Sequence, residues 1–274
     1  MIYLVISDIH GRKFWRQAIA NNIEQVDKVI FLGDYLDPYP EEIMRAQIMM
    51  APELMECNDF YDAQNLLKVL EDIIELKKNE PDKYILLTGN HSDSYIWSKF
   101  HAATRTDYRH WEKYHKFFSQ NLEYFNLVWI ENDTIFSHAG ISEGWAEEFL
   151  YHYMDYDGNV SLEKDSSVFE AARVLKDTPL KNFNVHYIKA ISNISYYRNG
   201  DSSYGSCEWA DLREHIDMKS SITEIVPKGE PGIYQVFGHT QLNSEPIITD
   251  KWACLDCRKA FIFDTITHEC KDCL

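Results

Sequence analysis

The chain is 274 residues long, 45% hydrophobic and 26% charged, with a formal net charge of −17 at pH 7. That balance describes a globular protein able to bury a large core. The acidity argues against a general affinity for nucleic acid or anionic membrane, because both need Lys and Arg to meet phosphates. No apolar run is long enough to span a bilayer.

The chain enters a strand at 2–7 at once, without a basic stretch and apolar signal segment, so a cytoplasmic location is expected. A helical pattern covers Arg12 to Asn22, and a strand covers 28–33. Pro38-Tyr39-Pro40 then breaks the chain. Leu66, Leu67, Leu70, Ile73, Ile74 and Leu76 repeat at helical spacing and predict a helix ending before Pro81. A strand at 83–88 follows, then aromatic-rich helical sequence over about 94–121, whose spacing points to core packing rather than base stacking. Residues 126–131 and 134–138 read as a hairpin turning at Asn132-Asp133. From 141 to 232 the pattern changes to helices and then loop, and strand character returns at 233–238, 246–249, 252–256 and 260–264. The expectation is one α/β domain, a mixed sheet system flanked by helices. Its core is 1–140 and 233–265, with 141–232 inserted over the site and a Cys-containing tail at 266–274.

Five strands each end in metal-binding side chains. These are Asp8-Ile9-His10, Gly33-Asp34-Tyr35-Leu36-Asp37, Gly89-Asn90-His91, His138-Ala139-Gly140 and Gly238-His239. Polar side chains delivered at the carboxyl ends of strands are how open α/β sheets build a site. Two Asp, one Asn and three His have the ligand chemistry for a pair of divalent metals. Asp34 follows a Gly that lets the backbone turn tightly, which suits a bridging carboxylate. On an extended stretch His91 would diverge from Asn90, and it is therefore free to act as a general acid, with Asp37 orienting its ring. Neither a Walker loop nor a His-Glu-x-x-His helix is present.

The motifs resemble the calcineurin-like metallophosphoesterase superfamily, closest to the phosphoprotein (serine/threonine) phosphatase branch and its bacterial diadenosine tetraphosphate hydrolase relatives. The resemblance covers residues 8–239 and implies a four-layer sandwich of two mixed sheets with helices outside. It implies that Asp8, His10 and Asp34 bind one metal and that Asp34, Asn90, His138 and His239 bind the second. It also implies that His91 protonates the leaving oxygen with the support of Asp37. Mn, Fe or Zn would suit such ligands. The single His of Gly238-His239-Thr240-Gln241 fits the phosphoprotein phosphatase branch. Pro38 and Thr88, however, stand where that branch carries two phosphate-binding arginines. Trp209-Ala210-Asp211-Leu212-Arg213 looks like the family's Leu-Trp-x-Asp/Arg segment and makes Arg213 the first candidate replacement, ahead of Arg12 and Arg105.

The expected activity is hydrolysis of a phosphomonoester on a protein or small molecule. The alternatives are hydrolysis of a dinucleoside polyphosphate or other small diester or anhydride, and a non-catalytic metal-bound binding module. Cys254, Cys257, Cys270 and Cys273 have zinc-ribbon spacing. A meander of terminal strands would hold the two pairs about 9–10 Å apart, so structural zinc and reduced thiols both stand as readings. Disulfides come last in a cytosolic protein. His101, His110, His115, His152, His186, His215 and His268 lack strand-end context and are expected at the surface or on helices.

Overall fold

The computed structural model describes residues 1–39, 66–97, 103–154, 167–217 and 226–273. Pro40, Cys57, Phe100, His101 and the side chain of His152 lie outside the described residues. Among them, no helix is long and apolar enough to cross a membrane.

The first sheet is built from β1 (Ile2–Ile6), β2 (Lys28–Phe31), β3 (Tyr84–Leu87), β4 (Phe125–Asn126), β10 (Ala260–Asp264) and β11 (Cys270–Asp272), in the order β11-β10-β1-β2-β3-β4. The second is built from β5 (Val128–Glu131), β6 (Thr134–Ser137), β7 (Tyr234–Phe237), β8 (Ile247–Ile248) and β9 (Trp252–Cys254), in the order β5-β6-β7-β9-β8. Both are mixed: β1, β2 and β3 run parallel, as do β6, β7 and β9, whereas β10 pairs antiparallel with β1.

Strand alternation sorts the apolar residues into layers. Tyr3, Val5, Ile30, Leu32, Ile85 and Leu87 face Phe136, Tyr234, Val236 and Leu255 of the other sheet. Leu4, Ile6, Val29, Phe31 and Leu86 point the opposite way, into a cluster with helices α1 (Phe14–Asn22) and α2 (Leu66–Asn79). Helix α2 buries Leu66, Val69, Leu70, Ile73 and Ile74, a stripe at helical spacing, and Lys77 and Lys78 in its last turn complement the dipole. Each such aliphatic side chain contributes about 1.5–3 kcal/mol of transfer free energy before entropy is counted. Helices α5 (Glu143–Met154) and α6 (Ser167–Asp177) cover the outer face of the second sheet, where Trp145, Phe149, Val168 and Leu175 pack with Val128 and Ile135. Between α2 and α5 in chain order, α3 (Asn90–Ile96) and α4 (Trp111–Asn121) carry the aromatic stretch, and Tyr95, Tyr114 and Phe118 are buried.

Two expectations change. Asn90 and His91 do not lie on an extended stretch but open helix α3, with the extended Gly89 as its N-cap. The terminal strands do not form one meander: β9 lies in the second sheet, β10 lies in the first, and the 270–272 segment adds an edge strand beside β10. His215, expected at the surface or on a helix, ends the short 3-10 helix Leu212–His215; it is 2% exposed, and burial pushes its imidazole down to about 4.

Candidate active site

Parallel neighbours end on the same side, so β1, β2 and β3 in one sheet and β6, β7 and β9 in the other bring their carboxyl-end loops together. Asp8, His10, Asp34, Asp37, Asn90, His91 and His138 are all buried there, with His239 beside them. The glycines of these motifs are required by crowding. A Cβ on Gly89 would stand 2.5 Å from Asp34 Oδ1, and one on Gly238 would overlap the Asp8 carboxylate and the Ser7 hydroxyl.

Two groups of side chains converge closely enough to hold an ion, His10–Asp34–His91 and Asp34–His138–His239, and Asp34 belongs to both. Asp8 makes its ion-pair contact with His138, at 3.9 Å, and its oxygens accept the His239 backbone N–H at 3.1 Å.

The imidazole tautomers suit metal ligation. A carbonyl oxygen only accepts, so His10 Nδ1 donates to Leu36 O (2.7 Å) and His138 Nδ1 donates to Leu32 O (2.9 Å). Both Nε2 lone pairs are thereby turned toward the centre. His138 Nε2 is ringed by Asn90 Oδ1 at 3.0 Å, His239 Nδ1 at 3.1 Å and Asp34 Oδ2 at 3.4 Å. Acceptors gathered this way need a positive centre, which a proton or a cation can supply. Burial opposes charge on His138, but Asp34 and Asp8 outweigh it and push this imidazole up to about 10. Burial holds His10 and His239 well below the usual range, as neutral ligands require, and Arg198 adds to the effect at His239. His239 Nε2 is buried without a partner. The donor set therefore fits divalent metals with mixed nitrogen and oxygen ligands.

His91 Nδ1 lies 2.7 Å from Asp37 Oδ2, and its backbone N–H donates to Asp34 Oδ1 at 3.0 Å. The Tyr95 hydroxyl donates to the other Asp37 oxygen at 2.5 Å. Backbone strain gathers at the same place. Of the nine non-glycine residues with positive φ among the described residues, five are His10, Asp34, Asp37, Arg105 and His239, with φ from 43° to 70°. Such conformations cost about 1–3 kcal/mol each and persist where surrounding contacts over-determine them.

Arg213 does not reach this centre. Its guanidinium pairs with Asp211 at 2.7 Å, donates to Tyr197 O at 2.7 Å and lies over the Tyr197 ring, with its side chain 48% exposed. Arg12 is buried beneath the site and donates to Asp8 O at 3.1 Å. Arg105 does reach the site, with Nη2 3.4 Å from His91 Nε2. Arg198 approaches from the other side, donating to Thr240 Oγ1 at 2.6 Å while pairing with Asp211 at 2.9 Å.

The four C-terminal cysteines are partly gathered: Cys270 packs against the cluster that holds Cys257, and Cys257 and Cys273 lie close enough to add to the rise of its thiol. Cys254 in β9 directs its thiol toward Gly238 O (3.6 Å) and Thr240 O (3.7 Å), while Cys273 donates to Ala260 O at 3.1 Å. No cysteine joins a three-ligand cluster among the described residues. The cysteines are free thiols, and burial pushes Cys257 and Cys270 up to about 12.

Other acidic residues near the centre have no motif. Asp256 follows β9 at the same strand-end side as the other loops, and burial, with Asp8, raises its pKa. Its signal was a carboxylate just past a sixth strand end. Asp93 and Glu208 form a buried pair, 3% and 0% exposed, whose four oxygens receive no hydrogen bond. Burial comes first in raising both, and proximity to Glu208 adds to the rise at Asp93. No sequence pattern links these two.

The model of a family described as calcineurin-like phosphoesterase matches residues 1–241. No curated protein matches the chain in sequence. A cold-active protein-tyrosine phosphatase of the psychrophile Shewanella sp. is similar in structure, with a TM-score of 0.52 and 14% identity over 100% of this chain and 80% of that one. A second structure of a cold-active protein tyrosine phosphatase gives 0.51 and 15% over 99% and 78%. A protein serine/threonine phosphatase from Saccharomyces cerevisiae gives 0.40 and 13% over 93% and 66%. At such identities the likeness is one of fold: two mixed β-sheets flanked by helices.

Proposed function

The chain belongs to the calcineurin-like phosphoesterase family and is a metal-dependent phosphoesterase; from that premise we propose that it hydrolyses a phosphomonoester at a pair of divalent ions. The observation that carries this reading is the sharing of Asp34 by both ligand groups, since a carboxylate common to two sites is what a dinuclear centre needs. Asp8, His10 and Asp34 are assigned to one ion, and Asp34, Asn90, His138 and His239 to the other. When bound, Mn, Fe or Zn would supply Lewis-acid stabilisation of phosphoryl charge and acidify a water nucleophile.

The protein's own groups do the remaining work. Asp37 accepts from His91 Nδ1 and fixes the ring, so that Nε2 faces the leaving oxygen and delivers a proton to it. Leu36 O and Leu32 O orient His10 and His138 in the same manner. The 141–232 segment supplies substrate-facing surface: Trp209 lies against His239, with ring centroids 6.2 Å apart, and Arg198 reaches Thr240. The substrate is a phosphorylated protein or small molecule, and a cytoplasmic setting is consistent with reduced thiols.

The test is turnover after Mn²⁺ loading of p-nitrophenyl phosphate, bis-p-nitrophenyl phosphate, a phosphopeptide and diadenosine tetraphosphate. Monoester and phosphopeptide hydrolysis supports the proposal. Activity confined to the diester or dinucleotide moves the protein to the small-substrate reading. Silence on all four substrates favours a binding module.

A further inference from the structure

We propose that Arg105 is the guanidinium that grips the phosphoryl group, in place of the positions that Pro38 and Thr88 fill in this chain. The inference rests on the phosphomonoester reading above and names the residue that completes that site.

Placement is the first argument. His91 Nδ1 is turned to the Asp37 carboxylate, so Nε2 points away from it. Arg105 Nη2 stands 3.4 Å from Nε2, which places the guanidinium beside the nitrogen assigned to proton transfer. The second argument is free donor capacity. Nε donates to Asp37 O at 3.1 Å and Nη1 to Thr104 Oγ1 at 3.3 Å, while no carboxylate pairs with Arg105 among the described residues. A guanidinium carries five N–H groups, so its charge and part of its fork remain for a phosphate. Arg198 and Arg213, by contrast, are both engaged by Asp211.

Pre-organisation is the third argument. The guanidinium lies 3.8 Å from the centroid of Tyr39, whose ring meets His10 edge-on at 5.1 Å. The Arg105 backbone has φ 70°, in the left-handed region where arginine has no side-chain means of compensation. Loop residues held in that conformation beside a reaction centre are held there by what they contact. A phosphoryl oxygen is a strong, anionic acceptor, so the N–H groups of the fork that have no protein partner are available to it when substrate arrives.

The experiment compares wild type, Arg105→Gln, Arg105→Gly and Arg213→Gln, all loaded with Mn²⁺ and checked for equal metal content. It measures inorganic phosphate binding by calorimetry, KM and kcat on p-nitrophenyl phosphate, and melting temperature. Loss of a charge-assisted fork should weaken phosphate binding about 10- to 100-fold in both Arg105 variants. Arg105→Gly should not melt lower, because glycine tolerates φ 70°, and added guanidinium should restore part of its activity. Arg213→Gln should match wild type. Unchanged phosphate affinity and kcat/KM in Arg105→Gln, or an equal loss in Arg213→Gln, would overturn the proposal. Should wild type bind phosphate through Arg105 yet fail to turn over monoesters, the activity reading falls and the clamp stands. Wild type that neither binds phosphate nor turns over monoesters overturns both.

Discussion

The Nδ1 of His91 lies 2.7 Å from Asp37 Oδ2; His91 is in the first turn of the helix that follows β3, and Asp37 in the loop that follows β2. The contact leaves the imidazole little freedom. Asp37 is itself held by the Tyr95 hydroxyl, which in turn accepts the Asp107 backbone N–H at 2.8 Å. A ring fixed at one nitrogen presents the other in a set direction, which is the geometry of proton donation.

His91→Asn should therefore lower kcat by about 10²- to 10⁴-fold, the usual contribution of a positioned acid. Asp37→Asn should cost less, because it loosens the ring without removing it. Steady-state kinetics on p-nitrophenyl phosphate check this, alongside a metal assay showing that the His91 variant keeps its ions. Full activity in His91→Asn would remove the general-acid assignment.

Asp34→Asn tests the shared carboxylate. Because Asp34 belongs to both ligand groups, the substitution should deplete both ions together rather than one. Elemental analysis after dialysis reads this directly, and an unchanged metal count would refute the bridging role.

Gly238→Ala should damage the same site by steric means. The added Cβ would overlap the Asp8 carboxylate and Ser7 hydroxyl, where His239 N–H also binds. The expected result is a loss of metal and activity, with far-ultraviolet circular dichroism retained. A variant that keeps full metal content would show that the loop shifts freely.

The Asp93–Glu208 pair predicts a pH dependence of stability. Burial, the largest cause, raises both carboxyls above their unfolded values. Such groups favour the fold at low pH, and their contribution is lost as pH rises through the folded-state values. Two acceptors facing one another become a hydrogen bond only when one holds a proton. Glu208→Gln supplies a permanent donor to Asp93, so it should flatten the fall of melting temperature with pH. Near neutrality it should be worth about 1 kcal/mol or more. Parallel pH-dependent melting curves for wild type and variant would reject the shared-proton account.

Metal stoichiometry addresses the cysteines. Since no three of these thiols converge to one metal-sized cluster among the described residues, the loaded protein should carry two ions, not three. Cys257→Ser and Cys270→Ser should leave that count unchanged when it is read by mass spectrometry under native conditions.

Most of the centre was legible in the chain itself. Asp8, His10, Asp34, Asn90, His138 and His239 follow apolar strands, and a strand end is a local property: a run of β-formers stops and polar side chains begin. Parallel pairing then brings those ends together without further instruction. Tertiary structure alone decided the rest. The spacing of Cys254, Cys257, Cys270 and Cys273 suggests one local meander, yet β9 and β10 part into two sheets, and Cys270 joins Cys257 in the layer between them. Arg213 carries the better motif but is captured by Asp211, whereas Arg105 carries none and is drawn in by the Asp37 carbonyl, 68 residues away in sequence. Asp93 and Glu208 meet only because α3 and the 205–210 loop converge on the same buried space. The candidate ligands were thus local chemistry written at strand ends, while the guanidinium, the acid pair and the placement of the thiols depended on long-range packing, which no local pattern encodes.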